Sequence, residues 1–303
     1  MKSISTSKKK LFVLIDGSFY LYRAYYTFPS FMNSSGKPTG AIYGVINMLC
    51  SLIKKYAPTH IAIVFDAPGK TFRHSLFNNY KFRRPAMPDN LRIQIIPLHE
   101  FIIAMGLPIF VISGVEADDV IGTLALQATQ KNMSVLISTG DKDMAQLVTS
   151  HVKLINTITN TILGPKEVID KYGVPPYLII DLLALMGDYS DSIPGVPGIG
   201  KKTAISLLKN IGDLVTIYKD LSVIKLLKLR GSNILIKNML EYKDIAFLSY
   251  ELATIKTNVA LNKNSHDLVL QKCNFEKLYE LCHDYEFMWF LNNLEYNNWL
   301  IKQ

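Results

Sequence analysis

Four short apolar runs rich in β-branched residues punctuate the first half of the chain: LFVLI at 11–15, IAIVF at 61–65, PIFVI at 108–112 and SVLIS at 134–138. Each is bounded by polar or turn residues, the pattern of a strand buried on both faces. Between them the apolar positions change to a helical period, in GAIYGVINMLCSLIKKY (40–56) and ADDVIGTLALQATQK (117–131). The alternation predicts repeated βαβ units, hence an α/β fold with a mostly parallel central sheet flanked by helices. From about residue 165 strand runs stop and helical patterning takes over. Two regions are expected, an α/β core over 1–175 and a helical region over 176–303. No low-complexity linker separates them, so the second is expected to pack on the first.

Polar residues at the ends of these runs carry the chemistry. Asp16 follows the first run, Asp66 the second, Glu116 with Asp118 and Asp119 the third, and Asp141 with Asp143 the fourth. Ligands of parallel sheets bind beyond the carboxyl ends of the strands, so these acids are expected to share one edge. Any one of them suits a helix N-cap or a turn. All together they do not, because like charges converging without a counter-ion repel. Asp188 and Asp191, spaced i, i+3, could share one side of a helical turn and reach the same place from the second region. Hard divalent cations are the expected counter-ions.

Against this acidic edge the whole chain is basic, with 33 Lys+Arg and 25 Asp+Glu, a net charge of +8. A basic surface suits a polyanion such as nucleic acid, or only keeps the protein soluble. The three cysteines have no metal-ligand spacing, which disfavours a disulfide framework or zinc site. None of the six histidines falls in an acidic cluster. No run reaches the ~18 apolar residues of a membrane span. A cytoplasmic protein is expected.

Two further segments point to a nucleic acid. Residues 195–204 read GVPGIGKKTA, between helical stretches 177–186 and 203–210. Gly195, Gly198 and Gly200 allow tight turns, backbone amides at the next helix start can face phosphate, and Lys201 and Lys202 add charge. With Ile199 and Thr203 this is a helix-hairpin-helix signature for sequence-independent contact with a duplex backbone. Residues 71–84, TFRHSLFNNYKFRR, interleave Arg73, Lys81 and Arg84 with Phe72, Phe77, Tyr80 and Phe82. Cations bind phosphate and aromatic faces stack on unpaired bases. Arg23, after the first strand, is a further candidate for a phosphate contact.

In combination the chain resembles the 5′ nucleases related to flap endonucleases, and closely the N-terminal 5′→3′ exonuclease domain of bacterial DNA polymerase I. The segments that carry the resemblance are LIDGSFYLYRAYY, PTGAIYGVINML, VFDAPGKTFR, SGVEADDVIGTLA, ISTGDKDMAQLV, ALMGDYSDSIPGVPGIGKKTA and LSYELATIKT, in order along nearly the whole chain. The resemblance implies a PIN-like nuclease core, a helical arch over the site and a helix-hairpin-helix region that grips duplex DNA. It implies two Mg²⁺ ions, replaceable by Mn²⁺, with K⁺ an additional expectation at the hairpin. Asp16, Asp66, Glu116, Asp118, Asp119, Asp141, Asp143, Asp188 and Asp191 match metal-site acids of the family. Arg73, Lys81 and Arg84 match basic positions at the arch, with Tyr80 beside them. Two positions depart from the family: Ser192 stands where Asn is usual, and Lys201 where Glu is common.

The mechanism expected is two-metal phosphodiester hydrolysis leaving 5′-phosphates, with Lys81 and Arg84 stabilising charge on the scissile phosphate. Substrates are expected to be DNA 5′ ends, flaps and nicks, and RNA primers on DNA, met in primer removal and repair. A separate polymerase and ligase would act alongside a monomeric, nucleoid-associated enzyme. Two other readings stand: a metal-dependent phosphatase of small phosphoesters, and a non-catalytic duplex-binding module whose acids are structural. The basic segment and GVPGIGKKTA argue against the first, the complete acid set against the second.

Overall fold

Six strands form one sheet in the computed structural model, which describes residues 10–292. They are β1 (Leu11–Asp16), β2 (His60–Asp66), β3 (Ile109–Ile112), β4 (Ser134–Ser138), β5 (Val152–Asn156) and β6 (Thr161–Leu163), in the order β3-β2-β1-β4-β5-β6. The first five are parallel and β6 runs antiparallel to β5. β5 and β6 are not legible as apolar runs. Lys153 interrupts β5 and faces solvent, and β6 is a three-residue edge strand.

Between and after the strands lie α1 (Gly17–Thr27), α2 (Gly40–Tyr56), α3 (Phe72–Leu76), α4 (Asp89–Arg92), α5 (Ile95–Ala104), α6 (Ala117–Gln130) and α7 (Pro165–Tyr172). The helical part holds α8 (Ile179–Met186), α9 (Lys201–Asn210), α10 (Leu214–Lys219), α11 (Ser232–Glu241), α12 (Lys243–Ala253), α13 (Phe275–Asp284) and α14 (Met288–Asn292).

Alternation along the central strands divides the interior in two. Phe12 and Leu14 of β1, Ala62 and Val64 of β2 and Val135 and Ile137 of β4 face one core, closed by α6 and α8–α12. Val13 and Ile15, Ile61 and Ile63, and Leu136 face the other, closed by α1, α2, α5, α13 and α14. The first core is continuous from the sheet into the helical region, so the expected packing of the two regions is observed.

Residues 268–292 do not stay with that region. Leu268 O accepts from Ile61 N at 2.8 Å, Gln271 N donates to Gly106 O at 2.9 Å and Asn274 N to Ala104 O at 2.8 Å. The chain thereby crosses to the opposite face, where Leu278, Leu281 and Phe290 join the second core. A Cβ at Gly106, whose φ is +75°, would lie 2.1 Å from Gln271 O, so only glycine admits the crossing strap. Residues 278–290 thus pack on the face of the sheet opposite α8–α12.

The basic segment 71–84, expected at a helical arch, holds the short helix α3 followed by successive tight turns. Those turns fold Lys81 down toward the sheet edge.

Candidate active site

Asp16 ends β1 and caps α1, accepting from Phe19 N at 2.9 Å while its second oxygen accepts from Thr139 Oγ1 at 2.8 Å. Burial pushes its carboxyl up to about 7, the nearby Asp66 and Asp141 adding to the shift. Asp66 ends β2 and accepts from Ala117 N, the first residue of α6, at 2.9 Å. Glu116 is the N-cap of α6 and Asp118 lies in its first turn. Asp141 follows β4, its amide fixed by Thr139 Oγ1 at 3.0 Å, and its carboxylate accepts from Asp143 N at 2.9 Å. N-capping thus explains where Asp16 and Glu116 sit locally, and the sheet explains why they meet.

Asp16, Asp66, Glu116, Asp118 and Asp141 line one cavity of about 370 Å³ together with Lys81 and Arg84. Burial and then repulsion from Asp141 and Asp16 hold the Asp118 carboxyl well above the ordinary carboxylate range. Burial, then Asp141, Asp188 and Asp191, do the same for Asp143, which lies just behind Asp141.

Asp188 and Asp191 reach this place from the turn after α8, and not from a helical turn. Asp188 and Ile193 exchange backbone bonds of 2.9 and 2.8 Å across it, with Ser192 at a φ of +58°. Asp191 accepts from Arg84 at 2.6 Å and from Tyr80 OH at 3.3 Å. Lys142 Nζ lies 2.6 Å from Asp188. Burial pushes the Asp188 carboxyl up, but Lys142 and Ser190 outweigh that and hold it below its ordinary value. Sequence reasoning misses Lys142, although its place between Asp141 and Asp143 is a visible signal.

Four expected site residues turn elsewhere. Arg73 is 2% exposed. It clamps both oxygens of Asp119 at 2.8 Å and donates to Leu252 O and Thr254 O. Asp119 is fully buried, and its oxygens also accept from Glu116 N and Lys256 N, so it presents no free lone pair to the cavity. Tyr80 is buried too, and its hydroxyl donates to Glu116 at 3.1 Å. Arg23 donates to Thr157 Oγ1 at 2.7 Å and lines a separate cleft beside α2.

The acids fit a hard divalent cation. The donors are all carboxylate oxygens, the choice of Mg²⁺ or Mn²⁺ over softer metals. Asp143 Oδ1 is buried without a hydrogen-bond partner, and four carboxyls of the cluster are pushed up by burial and mutual repulsion. Among the described residues no three such side chains already converge tightly enough to grip an ion. Several are drawn instead onto cations of the protein: Glu116 onto Lys81 at 2.7 Å, Asp191 onto Arg84 and Asp188 onto Lys142.

The glycine-rich run forms the predicted hairpin. Gly195 and Gly198 have φ of +64° and +83°, and a Cβ at Gly195 would lie 2.3 Å from Gly187 N. Gly200 is the N-cap of α9, and Lys201 and Lys202 open that helix, exposed. Thr203 is half-buried in the same first turn. Ile199 is buried in the first core, which anchors the hairpin.

Residues 11–173 match the family described as 5′-3′ exonuclease, N-terminal resolvase-like domain, and residues 174–276 match 5′-3′ exonuclease, C-terminal SAM fold. The chain belongs to the 5′-3′ exonuclease family. It is 48% identical over 266 residues to the 5′-3′ exonuclease of Buchnera aphidicola subsp. Baizongia pistaciae, covering 88% of each protein. It is 51% identical over 283 residues to DNA polymerase I of Pseudomonas aeruginosa, covering 93% of this chain but 31% of that protein. The family fold recurs in T5 5′-exonuclease bound to divalent metal ions (zinc), with a TM-score of 0.67 at 23% identity, covering 82% of this chain and 90% of that one. It recurs in the catalytic core of Rad2 in complex with DNA substrate, with a TM-score of 0.60 at 14% identity, covering 91% and 88%. At these identities the likeness to the solved structures is one of fold.

Proposed function

We propose that this chain is a metal-dependent, structure-specific 5′→3′ exonuclease and 5′ flap endonuclease acting on DNA, and on RNA primers paired to DNA. The observation that carries the reading is the meeting of Asp16, Asp66, Glu116, Asp118 and Asp141 with Lys81 and Arg84 in one cavity. The basic segment and the GVPGIGKKTA hairpin, which a small phosphoester would not need, favour it over a phosphatase.

Asp66, Glu116, Asp118 and Asp141 would hold the divalent ions, with Asp143, Asp188 and Asp191 flanking a second position. Mg²⁺ is the expected pair, Mn²⁺ its substitute. When bound, the ions supply Lewis-acid activation of water and neutralise charge on the leaving oxygen. Lys81 and Arg84 release their acids and turn to the scissile phosphate, stabilising charge as it develops. Asp16 orients the edge through Thr139 and the α1 amide, and Asp119 with Arg73 fixes the first turn of α6. Exposed Lys201 and Lys202, beside the α9 amides, would hold duplex phosphates, with K⁺ a candidate bridge at the hairpin.

The reading places the protein in primer removal and repair, as a monomer acting beside a polymerase and a ligase in the cytoplasm. No helix among the described residues is long and apolar enough to cross a membrane.

A 5′-labelled flap on a nicked duplex tests it, incubated with Mg²⁺ or with EDTA beside an Asp118→Ala variant. Cleavage near the junction that needs both the metal and Asp118 is expected. Hydrolysis of nitrophenyl phosphate without DNA cleavage would favour a phosphatase instead. Binding without cleavage in any divalent metal would leave a DNA-binding module.

A further inference from the structure

Lys81, Arg83 and Arg84 leave one loop in different directions. Lys81 and Arg84 turn into the acid cavity and pair with Glu116 and Asp191. Arg83 makes no ion pair among the described residues. Its guanidinium lies against two aromatic rings instead, 5.2 Å from the centre of Phe82 and 4.3 Å from that of Tyr189. Both rings face solvent, Phe82 at 60% exposure and Tyr189 at 80%. With Phe77, Asn79 and Ile193 these three residues line a second cavity of about 490 Å³. That volume lies within the ~300–1,000 Å³ typical of ligand clefts.

The backbone joins this cluster to the acid cavity. Lys81 N donates to Asp191 O at 3.0 Å and clasps the loop holding Phe82 and Arg83 to the turn holding Tyr189. Phe82 and Arg83 directly follow Lys81, and Tyr189 precedes Asp191 by two residues. Neighbouring residues of the same loop and turn thus line the two cavities: Lys81, Arg84 and Ser190 the acid one, Phe82, Arg83 and Tyr189 the second.

We infer that Phe82, Arg83 and Tyr189 form a stacking subsite for one unpaired nucleobase of the 5′ single strand, adjoining the acid cavity. The inference rests on the nuclease reading. Every base has a π-face, so such a platform tolerates sequence, and an arginine over the rings attracts both the base and its phosphate. A base inside a duplex has its faces covered by neighbours. The subsite thus admits only unpaired nucleotides and adds discrimination for flaps that the basic surface alone does not supply.

Single-turnover cleavage with Mg²⁺ tests this on two flaps, one with natural nucleotides and one with abasic sugar-phosphates in the unpaired arm. The wild-type protein is expected to reach half-saturation at about fivefold or more lower concentration of the natural flap. In Tyr189→Ala and Phe82→Ala that ratio should move toward one, while Tyr189→Phe, which keeps the ring, should keep it. Because the ratio is taken within one variant, lost folding does not imitate it. A wild-type ratio of one, or an unchanged ratio in both alanine variants, overturns the subsite and leaves the nuclease standing. Failure of the wild-type protein to cleave any DNA overturns the nuclease reading, and the subsite with it.

Discussion

Lys81 holds Asp191 twice: its backbone amide donates to the Asp191 carbonyl at 3.0 Å, and its ammonium lies 3.5 Å from the Asp191 carboxylate. The same ammonium is 2.7 Å from Glu116. Burial pulls the Lys81 pKa down, but Glu116 and Asp191 outweigh it and raise it above its ordinary value, so the group stays charged. Its backbone sits in the left-handed region at a φ of +56°, a conformation the two loops impose on it. One residue therefore joins the basic loop to both halves of the acid cluster.

The first prediction concerns that ammonium. Lys81→Met keeps most of the side-chain volume and removes the charge. The single-turnover rate on a 5′ flap should fall by about 10²-fold or more, the scale seen when one preorganised charge-stabilising donor is removed. A rate within about threefold of wild type would remove Lys81 from the catalytic group.

The second concerns pH. The Asp118 carboxyl is held well above its ordinary value by burial and by Asp141 and Asp16. Above the unfolded value of about 3.9 the unfolded chain has released this proton and the folded chain still holds it. The folded state then binds more protons, so stability contributed here is lost as pH rises through that window. Asn does not titrate. In EDTA the melting temperature of Asp118→Asn relative to wild type should therefore climb from pH 4.5 to 7.5, and Mg²⁺ should shrink the gap at pH 7.5. A difference that stays flat with pH would refute the crowding of these acids. Taking the difference between the two proteins cancels the opposite-signed contribution of His60 and His99, whose pKa values burial lowers.

The third concerns the buried ion pair. Arg73 ties Asp119 to the carbonyls of Leu252 and Thr254 at the end of α12. Arg73→Met leaves Asp119 as an uncompensated buried charge, and urea unfolding should show a loss of about 3–5 kcal/mol. Adding Asp119→Leu should recover part of it. If Arg73 instead touched DNA, the single variant would be stable and would bind DNA weakly.

The fourth concerns the hairpin. Lys201→Ala or Lys202→Ala should weaken duplex binding alike across sequences. Each phosphate that the protein no longer neutralises should lower the slope of log affinity against log salt by roughly 1. An unchanged slope would take that lysine off the phosphate.

Much of the fold and of the site is legible in the sequence because its signals are local. The four apolar runs become β1 to β4 nearly residue for residue, and 40–56 and 117–131 become α2 and α6. Strand and helix periods, and an acid where a strand ends, are properties of a few consecutive residues. Parallel pairing of those strands then brings Asp16, Asp66, Glu116, Asp118 and Asp141 together with no further information.

What only the tertiary structure decided is the direction in which each polar side chain turns. Arg73 and Lys81 stand in the same basic, aromatic stretch, yet α12 closes over the first and the Asp191 turn clasps the second. Asp118 and Asp119 are neighbours, yet one faces the cavity while the other is sealed under Arg73. β5 exists because β4 offers it a pairing edge and β6 because β5 does in turn, and residues 268–292 return to the sheet because Gly106 lets the strap pass. The chain's own pattern determined which chemistry is present. Which of its charges meet a substrate depends on what packs beside them, and that is set by contacts between residues distant in sequence.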